Sequence, residues 1–269
     1  MPKRILNGAE LAGFIKQRQA KTVRSLIQAD SITPKLAIIQ AKDDPVINTY
    51  VRLKKAYGRE IGVEVDIHRI NQSSANSCIK KLNQDSSVHG IIVQLPLEDP
   101  GQTDVLCDLV LPTKDVDALG KSTKFEPATP TAILWLLAGY NVDLENKNIL
   151  IIGRGKLVGA PLHNILKEGK HEVNVADRQT KDLKKLCLEA DIIVTAAGSP
   201  ALLFPDMLKS GAVVVDAGVA SEDGRTVGDV APEVYERDDL IITPAKGGVG
   251  PLTVSALFEN VIISAQAKV

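Results

Sequence analysis

Residues 151–169, "IIGRGKLVGAPLHNILKEG", lead an apolar run through three glycines, Gly153, Gly155 and Gly159, into a segment of helical period. After a strand and before a helix, glycines let the backbone turn sharply and approach a phosphate, whose charge is met by the amide N–H groups at the helix start. The spacing G-x-G-x-x-x-G is one residue wider at its end than the usual dinucleotide fingerprint, and alone it fits a plain strand-to-helix turn equally well. Asp177 lies 24 positions after Gly153, at the end of the next apolar run, where a ribose-binding acid is expected. An acid there suits a free 2′-hydroxyl, whereas Arg178 beside it and Arg154 in the loop suit a 2′-phosphate. These residues predict a nicotinamide nucleotide domain and leave NADP and NAD both open.

The same alternation extends in both directions. Strand-like runs at 35–41, 63–70, 88–95, 147–152, 171–176, 191–197, 211–218 and 240–243 are separated by segments of helical period. They are mostly apolar rather than strictly alternating, which suits parallel strands covered by helices on both faces. The expected fold class is therefore α/β, with a doubly wound parallel sheet in the carboxy-terminal part. Residues 111–130, "LPTKDVDALGKSTKFEPATP", have no apolar period and read as a domain crossing. The segments 131–140 and 253–267 read as helices.

Bulk properties narrow the function. In 269 residues, 44% of them apolar, there is room for two modest domains with their own cores. A formal charge of −1 speaks against a nucleic-acid or anionic-membrane partner and for a small-molecule one. Cys78, Cys107 and Cys187 form no close pair and the four histidines show no ligand spacing, so no metal is expected and a reduced, cytoplasmic setting is. No apolar run reaches the roughly 18 residues that would span a bilayer.

Four further segments carry polar groups suited to a ligand. In "DDPVINTYVRLKKA" (43–56), Tyr50 and Lys54 are four residues apart and share a helix face. "GIIVQLPL" (90–97) brings Gln94 to the carboxyl end of a strand, where open α/β sheets bind ligands, and Pro96 ends the ladder. "KDVDALG" (114–120) adds Asp115 and Asp117, and "KGGVGPLT" (246–253) makes a glycine-rich turn into the last helix.

In order, Y-x-x-x-K, V-Q-L-P-L, K-D-V-D, P-x-T-P, G-R-x-x-x-V-G-x-P and G-G-V-G-P-x-T run from about Asp43 to Asn260. This series resembles the bifunctional methylenetetrahydrofolate dehydrogenase/methenyltetrahydrofolate cyclohydrolase family. The resemblance implies a folate-binding catalytic domain of residues 1–125 plus 252–269, a Rossmann-type NAD(P)-binding domain of residues 126–251, and a cleft between them. It implies that Lys54 is the acid/base of the cyclohydrolase step, Tyr50 lines the folate and orients the lysine, Gln94 holds that lysine, and Asp117 binds the pterin ring. Leu95, Pro96, Gly250, Pro251 and Leu252 fall on folate-binding segments. Gly153, Arg154, Gly155, Val158 and Gly159 form the expected cofactor loop, and Thr129, Asp177, Arg178, Ala197, Gly198, Val219 and Thr253 lie on the other cofactor segments. The expected cofactor is NADP, favoured over NAD by the two arginines, and the expected partners are tetrahydrofolate derivatives and a second copy of the chain.

The chain departs from the commoner family pattern at four places. Gly155 stands where many members carry serine, Ala118 follows D-V-D in place of glycine, Ala128 replaces the cysteine of P-C-T-P, and Lys246 replaces a proline before G-G-V-G-P. Two rival readings share the fold. An amino-acid dehydrogenase pairs similar domains but leaves V-Q-L-P-L and G-G-V-G-P-x-T unexplained, and a binding module would keep the nucleotide site without turnover.

Overall fold

Strands made of Ile, Val and Leu without polar alternation can only be satisfied when both sheet faces are covered. The computed structural model, which describes residues 2–222 and 225–267, arranges them in two parallel sheets belonging to two separate units. One unit comprises Gly13–Ala128 and Val254–Val269, the other Met1–Ala12 and Thr129–Thr253.

The first elements in chain order are β1 (Arg4–Ile5), α1 (Gly8–Asp30), β2 (Lys35–Gln40), α2 (Pro45–Ile61), β3 (Glu64–Arg69), α3 (Ala75–Gln84), β4 (Gly90–Gln94) and α4 (Thr103–Asp108). In the unit holding residues 13–128, β2 lies between β3 and β4, parallel to both. Helix α2 is well delimited by its own sequence. The Asp44 carboxylate accepts the N–H groups of Val46 and Ile47, Pro45 occupies the first turn, and Gly62 ends the helix in the left-handed region at φ 84. Tyr57 of α2 stacks on Phe258, and its hydroxyl donates to Gln19 Oε1 of α1 at 2.7 Å and accepts from the Ser255 hydroxyl at 3.0 Å.

The remaining elements are α5 (Ala128–Gly139), β5 (Ile149–Ile152), α6 (Gly159–Glu168), β6 (Val173–Ala176), α7 (Leu183–Glu189), β7 (Ile192–Thr195), β8 (Val213–Asp216), β9 (Ala220–Glu222), β10 (Arg225–Val227), β11 (Ile241–Ile242) and α8 (Val249–Gln266). Their large sheet runs β1-β11-β8-β7-β5-β6 with every pair parallel, while β9 and β10 form a separate antiparallel pair. The strand after β5 lies on one side of it and the next lies on the other. The turns that leave β5 and β7 therefore flank the crevice where the strand order reverses, the ligand position of such sheets.

All eight strand runs read from the sequence are present as β2 to β8 and β11, and both predicted helices as α5 and α8. The division of the chain differs from the expected one at its ends. Residues 1–12 group with the large sheet rather than with residues 13–125, because β1 pairs with β11 through the Arg4 N–H to Leu240 O and Leu6 N–H to Ile242 O bonds, each 2.9 Å. The later boundaries fall at Ala128/Thr129 and Thr253/Val254, so residues 126–128 leave the expected Rossmann segment, while Leu252 and Thr253 stay with the large sheet.

Candidate active site

Ile47, Val51, Gly58 and Ile61 are the buried residues of α2, and their spacing marks the stripe that faces the sheet. Lys54 falls three residues after Val51 and four before Gly58, so an amine occupies an otherwise apolar seam. Its Nζ donates to Gln94 Oε1 at 2.7 Å, and Gln94 Nε2 donates in turn to the Leu95 carbonyl at 3.0 Å. That second bond sets which way the Gln94 amide faces, leaving its oxygen for the lysine. Burial holds the Lys54 amine below its ordinary 10.5, against the opposing pull of the nearby Asp117 carboxylate. Burial likewise pushes Asp117 above the usual carboxylate range, with Lys54 pulling it back down. Tyr50, one turn before Lys54 on the same side of α2, is half-buried, and burial raises its phenol too.

Asp117 reaches this place through a loop built by its neighbours. Lys114 is buried and donates to three carbonyls, those of Leu82, Asn83 and Asp85, at 2.7 to 2.9 Å. The Asp115 carboxylate accepts the N–H groups of Leu119 and Gly120, closing the loop on itself. Ile91 of β4 donates its N–H to Lys114 O at 2.8 Å, and Asn260 of α8 donates to the Val116 and Glu126 carbonyls at 2.9 Å. A Cβ at Gly90 would stand 2.8 Å from Val116, so this close approach requires glycine. Lys54, Gln94 and Asp117 are thus brought together with Tyr50 on one helix, whereas Leu95 is half-buried and Pro96 exposed at the strand end.

One participant escaped the sequence reading. Gln40, at the end of β2, is in register with Gln94 on β4 and is 3% exposed. Its Nε2 donates to Asn48 of α2 at 2.6 Å, and its Oε1 is buried without a hydrogen-bond partner. A polar residue closing an apolar strand beside Gln94 was the available signal.

In the large-sheet unit, the loop between β5 and α6 has the tight geometry that glycines allow. Gly153 is buried at φ 118, and a Cβ there would lie 2.4 Å from the Ala196 carbonyl oxygen. At Gly159 a Cβ would lie 2.0 Å from Gly153 O, while at Gly155 it would meet nothing within 4 Å. The serine many relatives carry at 155 would therefore fit sterically, and its absence leaves the backbone turn unchanged. Arg154 is exposed and its Nε pairs with Asp177 at 3.1 Å, while Arg178 is exposed beside that acid. Val158 is half-buried just before α6. Ala197, Gly198 and Val219 are exposed on the turns after β7 and β8, and Thr253 Oγ1 lies 3.4 Å from Thr129 Oγ1. Gly250, Pro251 and Leu252 open α8 within this unit, with Leu252 fully buried. The buried glycines and crowded turn fit a dinucleotide's pyrophosphate, because side chains are excluded where its backbone approaches.

Among the described residues there is no cluster of potential metal ligands, and no helix is long and apolar enough to cross a membrane.

A Rossmann-type unit with a glycine turn at its switch point, and a second α/β unit holding a desolvated lysine, define the class of two-unit α/β proteins with a nucleotide-binding fold. Residues 127–269 match the family model described as tetrahydrofolate dehydrogenase/cyclohydrolase, NAD(P)-binding domain, and residues 6–117 match that of the catalytic domain of the same family. The chain belongs to the tetrahydrofolate dehydrogenase/cyclohydrolase family. It is 37% identical to the bifunctional protein FolD of Campylobacter concisus, over 99% of each chain. The crystal structure of the bifunctional FolD enzyme of Campylobacter jejuni superposes with a TM-score of 0.93 at 36% identity, covering 99% of this chain and 100% of that one. The Trypanosoma brucei dehydrogenase-cyclohydrolase, solved with NADP and an inhibitor, gives 0.92 at 27% identity over 100% and 99%.

Proposed function

We propose that the chain oxidises 5,10-methylenetetrahydrofolate to the 5,10-methenyl form with NADP and hydrolyses that product to 10-formyltetrahydrofolate. The observation that carries this reading is the desolvated Lys54 amine held by Gln94 beside Asp117, in a chain matched by both domains of the family.

The two steps ask different things of the protein. When bound, the nicotinamide nucleotide supplies the acceptor for the methylene hydride. The folate nitrogens stabilise the cation left behind, so that step needs no strong protein base and depends on how the reactants are held. Gly153, Gly155, Gly159, Arg154 and Val158 would hold the nucleotide's phosphates, with Thr129, Ala197, Gly198, Val219 and Thr253 along the rest of it. Hydration needs a base: water must lose a proton as it attacks the methenyl carbon, and a ring nitrogen must gain one as the ring opens. Burial lowers the Lys54 pKa and so favours the neutral amine, the form that would take the first proton at Nζ and return it to the nitrogen. Gln94 Oε1 fixes the direction of that amine, Tyr50 lines the folate, and Asp117 engages the pterin ring. Leu95, Pro96, Gly250, Pro251 and Leu252 complete the folate contacts, and a second copy of the chain completes a homodimer.

A second reading exchanges NADP for NAD. It is favoured by the 3.1 Å Arg154–Asp177 pair, which engages one of the two arginines with an acid suited to a ribose hydroxyl. The test is to incubate purified protein with methylenetetrahydrofolate and either nucleotide while following methenyl absorbance. Turnover with a higher kcat/KM for NADP is expected. A preference for NAD transfers the assignment to the second reading, and silence with both nucleotides defeats the proposal.

A further inference from the structure

The turns leaving β7 and β8 are joined by two acids that the sequence reading passed over. The Asp229 carboxylate, fully buried, accepts the N–H groups of Ala197 and Ser199 at 2.7 Å each, one on each oxygen. The Gly198 N–H also stabilises it. Asp216, at the end of β8, accepts the N–H groups of Asp229 at 3.1 Å, Val230 at 3.2 Å and Gly218 at 3.0 Å, together with the Thr195 hydroxyl at 3.0 Å. The chain leaves no slack around either acid. A Cβ at Gly218 would stand 2.1 Å from the Asp229 carboxyl carbon, and one at Gly228 would stand 2.0 Å from Asp216 Oδ2. No ion pair to either carboxylate is found among the described residues, so backbone N–H groups, joined at Asp216 by the Thr195 and Tyr235 hydroxyls, keep these carboxylates inside.

This arrangement has a consequence for ligand chemistry. Successive N–H groups in a turn form a natural anion site, and the 197–199 turn stands at the switch point, with the Ala196 carbonyl packed on Gly153. Its donors are already taken by the protein's own carboxylate, while Ala197, Gly198 and Ser199 remain exposed. We propose that Asp229 is a positioning residue for the nucleotide site: by occupying the N–H groups of residues 197–199 it leaves that turn's backbone only carbonyl oxygens to offer, so the backbone there meets hydroxyl or carboxamide donors of the nucleotide and not its phosphates. The phosphates are thereby confined to the Gly153–Gly159 loop. This inference rests on the nucleotide-binding reading above.

Asp229→Asn puts an amide where two N–H groups now find carboxylate oxygens, so one bond is lost and a donor faces a donor. Loss of a charge-assisted bond of this kind predicts a fall of about tenfold or more in kcat/KM for the nucleotide. Nucleotide-independent hydrolysis of methenyltetrahydrofolate, assayed in the same preparation, stays within about twofold because Lys54, Gln94 and Asp117 lie in the other unit. An unchanged nucleotide kcat/KM, or equal loss of both activities, overturns the assignment. Amide exchange on the unmutated protein tests it even if the variant does not fold. The Ala197 and Ser199 amides exchange slowly without nucleotide and stay slow when NADP is added. Free exchange suppressed only by NADP overturns the proposal. Absence of methylenetetrahydrofolate oxidation by the unmutated protein would defeat the function above while leaving the exchange result to decide the role of Asp229.

Discussion

The lysine centre and the glycine turn meet opposite electrostatic demands with opposite means. Around Lys54 the chain buries side-chain charge, an amine and a carboxylate together, and so shifts both away from their ordinary pKa values. At Gly153 and Gly159 it keeps side chains away and offers backbone, on a loop where approaches of 2.4 and 2.0 Å exclude a Cβ. One site depends on which side chain is present, the other on its absence at two positions. In the proposed function the first would serve proton transfer, which needs a tuned group, and the second anion binding, which needs many weak donors in fixed places. Substitutions should separate the two along the same line.

The widest separation is expected from Lys54→Met. Removing a general acid/base predicts a loss of about 10²- to 10⁴-fold in methenyl hydrolysis, with the dehydrogenase reduced by less than about tenfold. Steady-state rates of both steps check this, and equal losses would erase the distinction between the sites. Gly153→Ala is the mirror experiment. A side chain forced to φ 118 against the Ala196 carbonyl predicts a destabilisation of about 2–4 kcal/mol. It should come with a raised nucleotide KM and unaltered methenyl hydrolysis in the protein that remains folded, as denaturant titration and kinetics will show.

A smaller effect should sharpen the lysine side. Because burial holds the Lys54 pKa below 10.5 and the proposal makes the neutral amine the base, hydrolysis should be lost as pH falls through that lowered pKa and should level off above it. Gln94→Leu removes an acceptor that favours the ammonium, so the limb of the pH–rate profile should move further down while the plateau falls about tenfold. A limb centred at or above 10.5 contradicts the burial account. The smallest change concerns Ala118, which holds φ 56 in the loop that carries Asp117, where many relatives have glycine. Ala118→Gly should stabilise the protein by up to about 1 kcal/mol in thermal or denaturant unfolding, and a loss of stability would show that the methyl group packs usefully.

How much of this was legible varied with range. Strands β2 to β8 and β11 could be read because each is a short run whose apolar positions, continuous in most and alternating in β3, need no partner to reveal them. Strand β1, Arg4–Ile5, is too short to carry a period, and its neighbour β11 is more than 230 positions away in the chain. Tyr50 and Lys54 could be paired because helix geometry relates positions four apart. Gln40 could not be placed beside Gln94 without the β2–β4 register. Asp216 and Asp229 gave no signal in the sequence, since most of their partners are backbone N–H groups that no residue type announces.

From its residues alone the chain specified two α/β units, a glycine turn suited to phosphates and the order of motifs that the family shares. Those properties are local, carried by periodicity within one element or by a few adjacent residues. Tertiary structure decided how deeply the Lys54 amine is buried, that Arg154 faces Asp177, and that a carboxylate from residue 229 fills the turn at 197–199. Desolvation and hydrogen bonding depend on neighbours brought from distant parts of the chain, so a side chain's charge state and a turn's remaining donors exist only once the fold has gathered them.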